Sequence, residues 1–254
     1  FIPNNQNNFG LTNRLDSLTA VQWSFMDPAL NTIQIDTLGS TAKTVASVSQ
    51  KFLAEGIYNV TLKVTNQGAC VDSSVMRFIV SPTLTPNLST FPYNETFDAG
   101  KSGWESEAIG NKQDDLWRFD TKWSTKVPDL NGVPQHYPEG KNAWVYSPCF
   151  TIDSLDRPMI HFDYTIDSRR FLDGATLEYY DGTNWTPLGT TERGINWFNE
   201  FTVYAKPGGS VKTNSSGWSG IDNTQLQNAR YVLDDIRDSL RNQNKKLRLR
   251  FAFA

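Results

Sequence analysis

Glu55-Gly56-Ile57-Tyr58-Asn59-Val60-Thr61-Leu62-Lys63-Val64-Thr65-Asn66 is the stretch that decides the fold. Tyr58, Val60, Leu62 and Val64 take alternate positions, with Asn59, Thr61, Lys63 and Thr65 between them. Successive side chains of an extended strand point to opposite faces, so this spacing makes one face apolar and the other polar. Gly56 supplies a turn before the strand, and Asn66-Gln67-Gly68 supplies one after it.

The same period of two recurs on both sides. Val21, Trp23 and Phe25 alternate with Gln22 and Ser24 until Asp27-Pro28 breaks the run, and Val75–Val80 gives a third strand. Further strands are expected at Met159–Ile166, Ala175–Tyr180, Phe198–Tyr204 and Lys246–Phe253. In the last, Leu247, Leu249, Phe251 and Phe253 alternate with Arg248, Arg250 and Ala252. Asp181-Gly182-Thr183-Asn184, between Tyr180 and Trp185, carries hairpin chemistry. Residues 223–243 mix two patterns. Leu226, Ala229, Leu233, Ile236 and Leu240 have helical spacing, while Tyr231-Val232-Leu233 suits a strand; a strand followed by a short helix around Ile236–Leu240 is expected. Short strands with punctuating turns predict an all-β chain built as sandwiches.

The 254 residues suffice for two modest domains. Ser81-Pro82-Thr83-Leu84-Thr85-Pro86-Asn87 suits an extended linker, because its prolines cannot sit in a helix or a central strand. The expected division is a first domain over 1–82, a linker over 83–90 and a second domain over 91–254. Residues 1–10 read as a linker or as the end of something upstream. The second domain holds seven of the eight tryptophans, so its texture differs from that of the first. The chain opens on Phe1 and closes on a strand that is expected to stop mid-sheet, which reads as a fragment of a larger parent.

A formal net charge of −3 argues against a basic nucleic-acid-binding face, and no apolar run reaches membrane-spanning length. Cys70 and Cys149 fall in different domains. They read as buried free thiols, with pairing to each other or to cysteines elsewhere left open.

The first region resembles the PKD family of immunoglobulin-like sandwiches. Val21-Gln22-Trp23-Ser24-Phe25-Met26-Asp27 is similar to its Trp-x-Phe-Gly-Asp segment, with Met26 where glycine is usual. Residues 55–66 resemble its Gly-x-Tyr-x-Val-x-Leu-x-Val-x-Asn strand, and Arg77-Phe78-Ile79-Val80 its closing strand. The second region is similar to MAM-like jelly rolls. The residues that carry this are Glu95-Thr96-Phe97 with Gly103-Trp104, Asn142–Pro148, Pro158–Tyr164, Asp173–Tyr179, Asn184-Trp185, Gly217-Trp218-Ser219-Gly220 and Leu247–Phe251. The two in series look like surface proteins and adhesins of gliding bacteria that use type IX secretion.

That resemblance implies two tandem β-sandwiches, PKD/Ig-like and then jelly-roll or concanavalin-like with a short helix. It implies a non-catalytic, secreted or cell-surface module for adhesion or ligand binding. The partners would be an extracellular polysaccharide or protein, the secretion machinery and the rest of a larger chain. The alternative is a carbohydrate-binding or accessory module of a secreted protease or glycosidase. It also implies a structural calcium, for which Glu95, Asp98 and Asp173 are the expected ligands, since calcium takes oxygen ligands from loops.

Other chemistry is poorly served. His136 and His161 lie far apart, without the short ligand spacing of a zinc site, and no Gly-x-Ser-x-Gly, His-Glu-x-x-His or phosphate-loop motif occurs. Gly217-Trp218-Ser219-Gly220 reads as a tight turn. Most tryptophans are expected in the core; Trp123 and Trp197, in loop-like sequence, are the candidates for an exposed ligand platform. Asp16-Ser17-Leu18, Asp36-Thr37-Leu38, Asp153-Ser154-Leu155 and Asp238-Ser239-Leu240 fit a bacterial O-glycosylation pattern, at Ser17, Thr37, Ser154 and Ser239. Asn59, Asn87, Asn94, Asn184 and Asn214 head Asn-x-Ser/Thr sequons that matter only in a eukaryotic secretory path.

Overall fold

The computed structural model describes residues 18–36, 49–87, 93–108, 117–119, 123–124, 142–208, 215–220 and 226–254, with backbone alone at 18, 34–36, 107–108, 118 and 123–124. The described residues are all-β with one short helix, and the chain divides into two compact units, Phe1–Val80 and Ser81–Ala254. His136, Ser17, Thr37, Asn214 and residues 1–10 lie outside the described residues.

The first unit contains strands β1 (Leu18–Met26), β2 (Thr32–Asp36), β3 (Gly56–Asn66) and β4 (Val71–Val80) in one antiparallel sheet of order β2-β1-β3-β4. Register sets Val21 opposite Val64, Trp23 opposite Leu62 and Phe25 opposite Val60. Val21, Phe25, Tyr58, Val60 and Leu62 are buried on that common face, as their alternation demands. Both hairpin turns use side-chain acceptors. The Asp27 carboxylate accepts from the Asn31 backbone N–H at 2.8 Å and from Asn31 Nδ2 at 3.0 Å, and Asn66 Oδ1 accepts from Cys70 N–H at 2.9 Å. Tyr58 Oη donates to the Ala54 carbonyl at 2.9 Å and accepts from the Ala54 N–H at 3.1 Å. A tyrosine at the start of a strand, bonded back to the backbone just upstream, is the tyrosine corner of immunoglobulin-type sandwiches.

The second unit contains β5 (Thr83–Leu84), β6 (Glu105–Ala108), β7 (Arg118–Phe119), β8 (Trp123–Ser124), β9 (Ala143–Phe150), β10 (Met159–Tyr164), β11 (Ala175–Tyr180), β12 (Trp185–Pro187), β13 (Gln227–Val232), α1 (Asp234–Asn242) and β14 (Leu247–Phe253). A six-stranded sheet runs β12-β11-β14-β9-β5, with β6 also on β9. An antiparallel pair, β10 with β13, lies across from its inner face: Phe162 of β10 sits 4.9 Å from Phe251 of β14, ring edge to ring face. The core between them includes Leu177, Leu188, Trp197, Phe198, Trp218, Leu247 and Leu249. α1 tucks Leu240 into that core, starts on Asp234 and Asp235 and ends near Arg241, charges that suit the helix dipole.

Three expectations are corrected. The proline-bearing segment is not a free linker: Thr83–Leu84 adds a parallel edge strand to β9, with Cys149 N–H donating to the Pro82 carbonyl and Thr151 N–H to the Leu84 carbonyl, both at 2.8 Å. Proline is tolerated there because an edge strand leaves one side of its backbone unpaired. Phe198–Tyr204 is not a strand. Its N–H groups go to separate partners, Glu200 to Gly217, Val203 to Ser215 and Tyr204 to Phe171, rather than to one neighbour. Cys70 is exposed and Cys149 half-buried, so the pair is not buried; both are free thiols. The expected strand and helix near the end stand as β13 and α1.

Candidate functional site

One polar network of the second unit links residues 167–174, 199–200 and 217–220. Ser219 is its hub. Its hydroxyl donates to the Asp173 carbonyl at 2.6 Å and accepts from the Phe171 N–H at 2.9 Å. Asn199 clasps the Ser219 backbone from both sides, Oδ1 to N–H and Nδ2 to the carbonyl, each at 2.9 Å. Ser168 Oγ donates to the Asp173 carbonyl at 3.0 Å and accepts from Gly220 N–H at 3.0 Å. Arg169 Nε meets the Asp173 carboxylate at 2.5 Å, and Arg170 Nε meets Glu200 at 2.9 Å. Ser168, Asp173, Glu200 and Ser219 are all buried, and burial of polar groups is tolerated only with such partners.

Gly174 and Gly217 let the segments touch. A Cβ on Gly174 would lie 2.3 Å from the Trp218 carbonyl oxygen, and one on Gly217 would lie 2.4 Å from the Ala175 carbonyl oxygen.

Underneath, Trp197, Phe198, Val203 and Trp218 are buried. In the same loops Phe171, Leu172, Phe201 and Tyr204 are exposed, Phe201 at 64% and Tyr204 at 69%. The two strips that carry them are tied by Tyr204 N–H to the Phe171 carbonyl and Ala205 N–H to the Leu172 carbonyl, both at 2.8 Å. Phe171 holds φ = 67°, a left-handed conformation that costs a residue with a Cβ about 1–2 kcal/mol. Arg170 lies over its ring, 4.8 Å from the centroid. The loop cluster thus combines buried hydrogen bonds, a left-handed Phe171 and exposed apolar rings. Strain of this kind concentrates where a protein meets a ligand, and exposed apolar clusters mark contact surfaces.

The expected site residues fall as follows. Trp197 is corrected: it is 5% exposed, donates Nε1–H to the Leu188 carbonyl at 2.7 Å, and packs on Phe162, Phe198, Trp218 and Tyr231, so its faces are taken by the core. Trp123 lies in β8, which pairs with β7, and its side chain is outside the described residues. Glu95 accepts from Phe97 N–H at 2.5 Å and Asp98 from Thr96 Oγ1 at 2.8 Å, both bonds of a local turn. Asp173 is engaged by Arg169. Among the described residues no group of three or more His, Cys, Asp or Glu is placed to hold a metal, so Glu95, Asp98 and Asp173 are not assembled into one ligand set. Ser154 is exposed in a turn and Ser239 is exposed on α1, where its hydroxyl accepts from Gln243 at 3.4 Å. His161 is an outward-facing strand residue. The Gly217–Gly220 segment is a structural hub, with the Ser219 hydroxyl committed to backbone groups.

Phe171, Phe201 and Tyr204 were not anticipated as a site. The available signal was the three-residue spacing of Phe198, Phe201 and Tyr204, which does not fit an alternating strand.

No family model and no curated protein matches the chain. One similar solved structure concerns the promiscuous specificity of carbohydrate-binding modules of the β-sandwich superfamily. It aligns over 93% of this chain and 78% of that one, at 15% identity and a TM-score of 0.22. A likeness at that level transfers no function.

Proposed function

We propose that the chain is a non-catalytic ligand-binding module of an extracellular surface protein, and that the aromatic loop cluster of its second unit is the contact surface for a polysaccharide. The exposure of Phe171, held at positive φ, together with that of Phe201 and Tyr204 in the loop bonded to it, carries this reading. Exposed ring faces stack on the apolar faces of sugar rings, and a pre-organised platform avoids the entropy of ordering side chains on binding. The Ig-like first unit fits a spacer in such a protein, consistent with the tyrosine corner at Tyr58. A bacterial surface adhesin is the reading we favour, on the resemblance of the first region to PKD units and of the second to MAM-like jelly rolls. A protein ligand is the second reading, favoured by Leu172 within the patch and by Arg170 beside Phe171, since aromatic residues and arginine dominate protein interfaces.

A glycan array tests the first reading. Phe201→Ala with Tyr204→Ala is expected to weaken capture about thirtyfold or more, the effect of removing a binding hot spot. Unchanged capture by the double variant would remove the loop cluster from the function.

A further inference from the structure

The outer face of the six-stranded sheet differs from its inner one. Trp144 and Tyr146 of β9, Glu178 and Tyr180 of β11, Trp185 of β12, and Arg248 and Arg250 of β14 share it by register. Two of its acids, Glu178 and Glu105, have partners. Glu178 pairs with Arg250 at 2.6 Å, and Glu105, across from Tyr146, pairs with Lys101 at 3.3 Å. Among the described residues of this face, two cations are without a carboxylate partner. Arg248 rests against the rings of Tyr146, 5.0 Å from its centroid, and Trp185, 6.0 Å away. Among the described residues it pairs with no carboxylate, and Nη2 donates to the Ser81 hydroxyl at 3.1 Å. Lys246 Nζ donates to the Thr83 hydroxyl at 3.3 Å. Both charges are felt at Cys149, where burial pushes the thiol pKa up and the two cations pull against it. The hydroxyls of Ser81 and Thr83, two unneutralised cations and the half-buried ring of Trp185 therefore sit together, with Tyr180 partly exposed beside Trp185.

We infer that Arg248 and Lys246 form an anion-reading subsite, so that the polysaccharide bound by this module carries carboxylate or sulfate groups. The inference rests on the polysaccharide reading above but on a different surface. A guanidinium packed against aromatic rings loses less freedom when it binds a planar carboxylate or a sulfate. The ammonium of Lys246 adds a second, softer point charge.

The test uses the full chain against immobilised polyuronate, dextran sulfate and neutral dextran, with Lys246→Gln, Arg248→Gln and, as a control for bulk charge, Lys63→Gln in the first unit. Lys246 is exposed, so its variant leaves the fold intact even if Arg248→Gln does not. The expected result is tighter binding to an acidic polymer than to neutral dextran. Lys246→Gln should lower that binding about tenfold, the worth of one charge-assisted hydrogen bond. Lys63→Gln should change nothing, and added sodium chloride should erode the preference. The polymer bound more tightly, polyuronate or dextran sulfate, identifies the acid. Equal binding of all three polymers, or a preference untouched by Lys246→Gln, overturns the subsite and leaves the polysaccharide reading standing. Binding to none of them overturns the subsite, and loss of the glycan-array signal as well overturns the polysaccharide reading with it.

Discussion

Arg250 and Glu178 form a buried ion pair in the middle of a sheet face: Nε to Oε2 is 2.6 Å, with the side chains 7% and 1% exposed. The guanidinium also donates to the Gly208 carbonyl at 2.8 Å and lies 4.8 Å from the Trp144 ring and 4.5 Å from that of Trp185. Removing one partner strands the other charge out of water. Glu178→Ala is expected to destabilise the second unit by about 3–5 kcal/mol. The paired replacement Glu178→Leu with Arg250→Met should recover most of that, because it removes both desolvation costs. Denaturant titrations of the three variants check this, and a Glu178→Ala loss under 1 kcal/mol would mean water reaches the pair.

Tyr58 closes a five-residue corner on Ala54 while its ring packs 4.5 Å from Phe52. Tyr58→Phe keeps the ring and deletes the hydroxyl. The expected cost is about 1 kcal/mol, and it should fall on the first unit alone. Amide hydrogen exchange across Val60–Val64 in the intact chain should quicken by about fivefold, with exchange in β11 and β14 unchanged. Equal quickening in both units would contradict the division at Val80.

Strand existence was legible because burial of one sheet face forces a period of two. β3, β11 and β14 alternate in sequence and stand within two residues of the expected ends. Edge chemistry was less legible. Two prolines within Ser81–Asn87 spoke for a linker, but an edge strand needs only half of its backbone groups, and Thr83–Leu84 fits between them. The candidate site was the least legible part. Trp197 looked exposed because polar and turn-forming residues surround it, while its ring is drawn inward by Phe162, Trp218 and Tyr231, contacts that sequence spacing cannot foretell. Phe201 and Tyr204 looked like strand residues. Their backbone bonds go to different loops, the Phe201 carbonyl accepting from the Ser216 hydroxyl and Tyr204 N–H donating to the Phe171 carbonyl, so the segment is not a strand.

Asp27 should show the pH dependence of the first hairpin. The Asn31 side chain and the backbone N–H groups of Asn31 and Ala29 hold its carboxylate charged, so its pKa lies below the usual aspartate value. A carboxylate with a depressed folded pKa contributes stability above its unfolded pKa and loses it as pH falls through the folded one. The hairpin should therefore loosen only on acidification below the usual aspartate range. Carboxyl-carbon NMR titration of wild type and Asn31→Ala checks the cause. The Asp27 midpoint should rise toward the usual value in the variant, and an unmoved midpoint would assign the shift elsewhere.

Phe171 separates stability from function in one substitution. At φ = 67° its backbone pays for having a Cβ, and its ring is close to half exposed, at 45%, so the fold gains little from the side chain. Glycine takes that conformation without strain, though it adds entropy to the unfolded chain. Phe171→Gly should then leave the second unit as stable as wild type to within about 1 kcal/mol, or slightly more stable. Phe171→Ala keeps the strain and loses the ring, so it should be the less stable of the two. Both should lose ligand capture, because the ring is what the strain presents. Thermal melts set beside binding on one preparation decide the matter. If Phe171→Gly were strongly destabilising, the ring would be a packing element and the strain would have no functional reading. If it melted like wild type and still bound ligand, the contact surface would narrow to Phe201 and Tyr204.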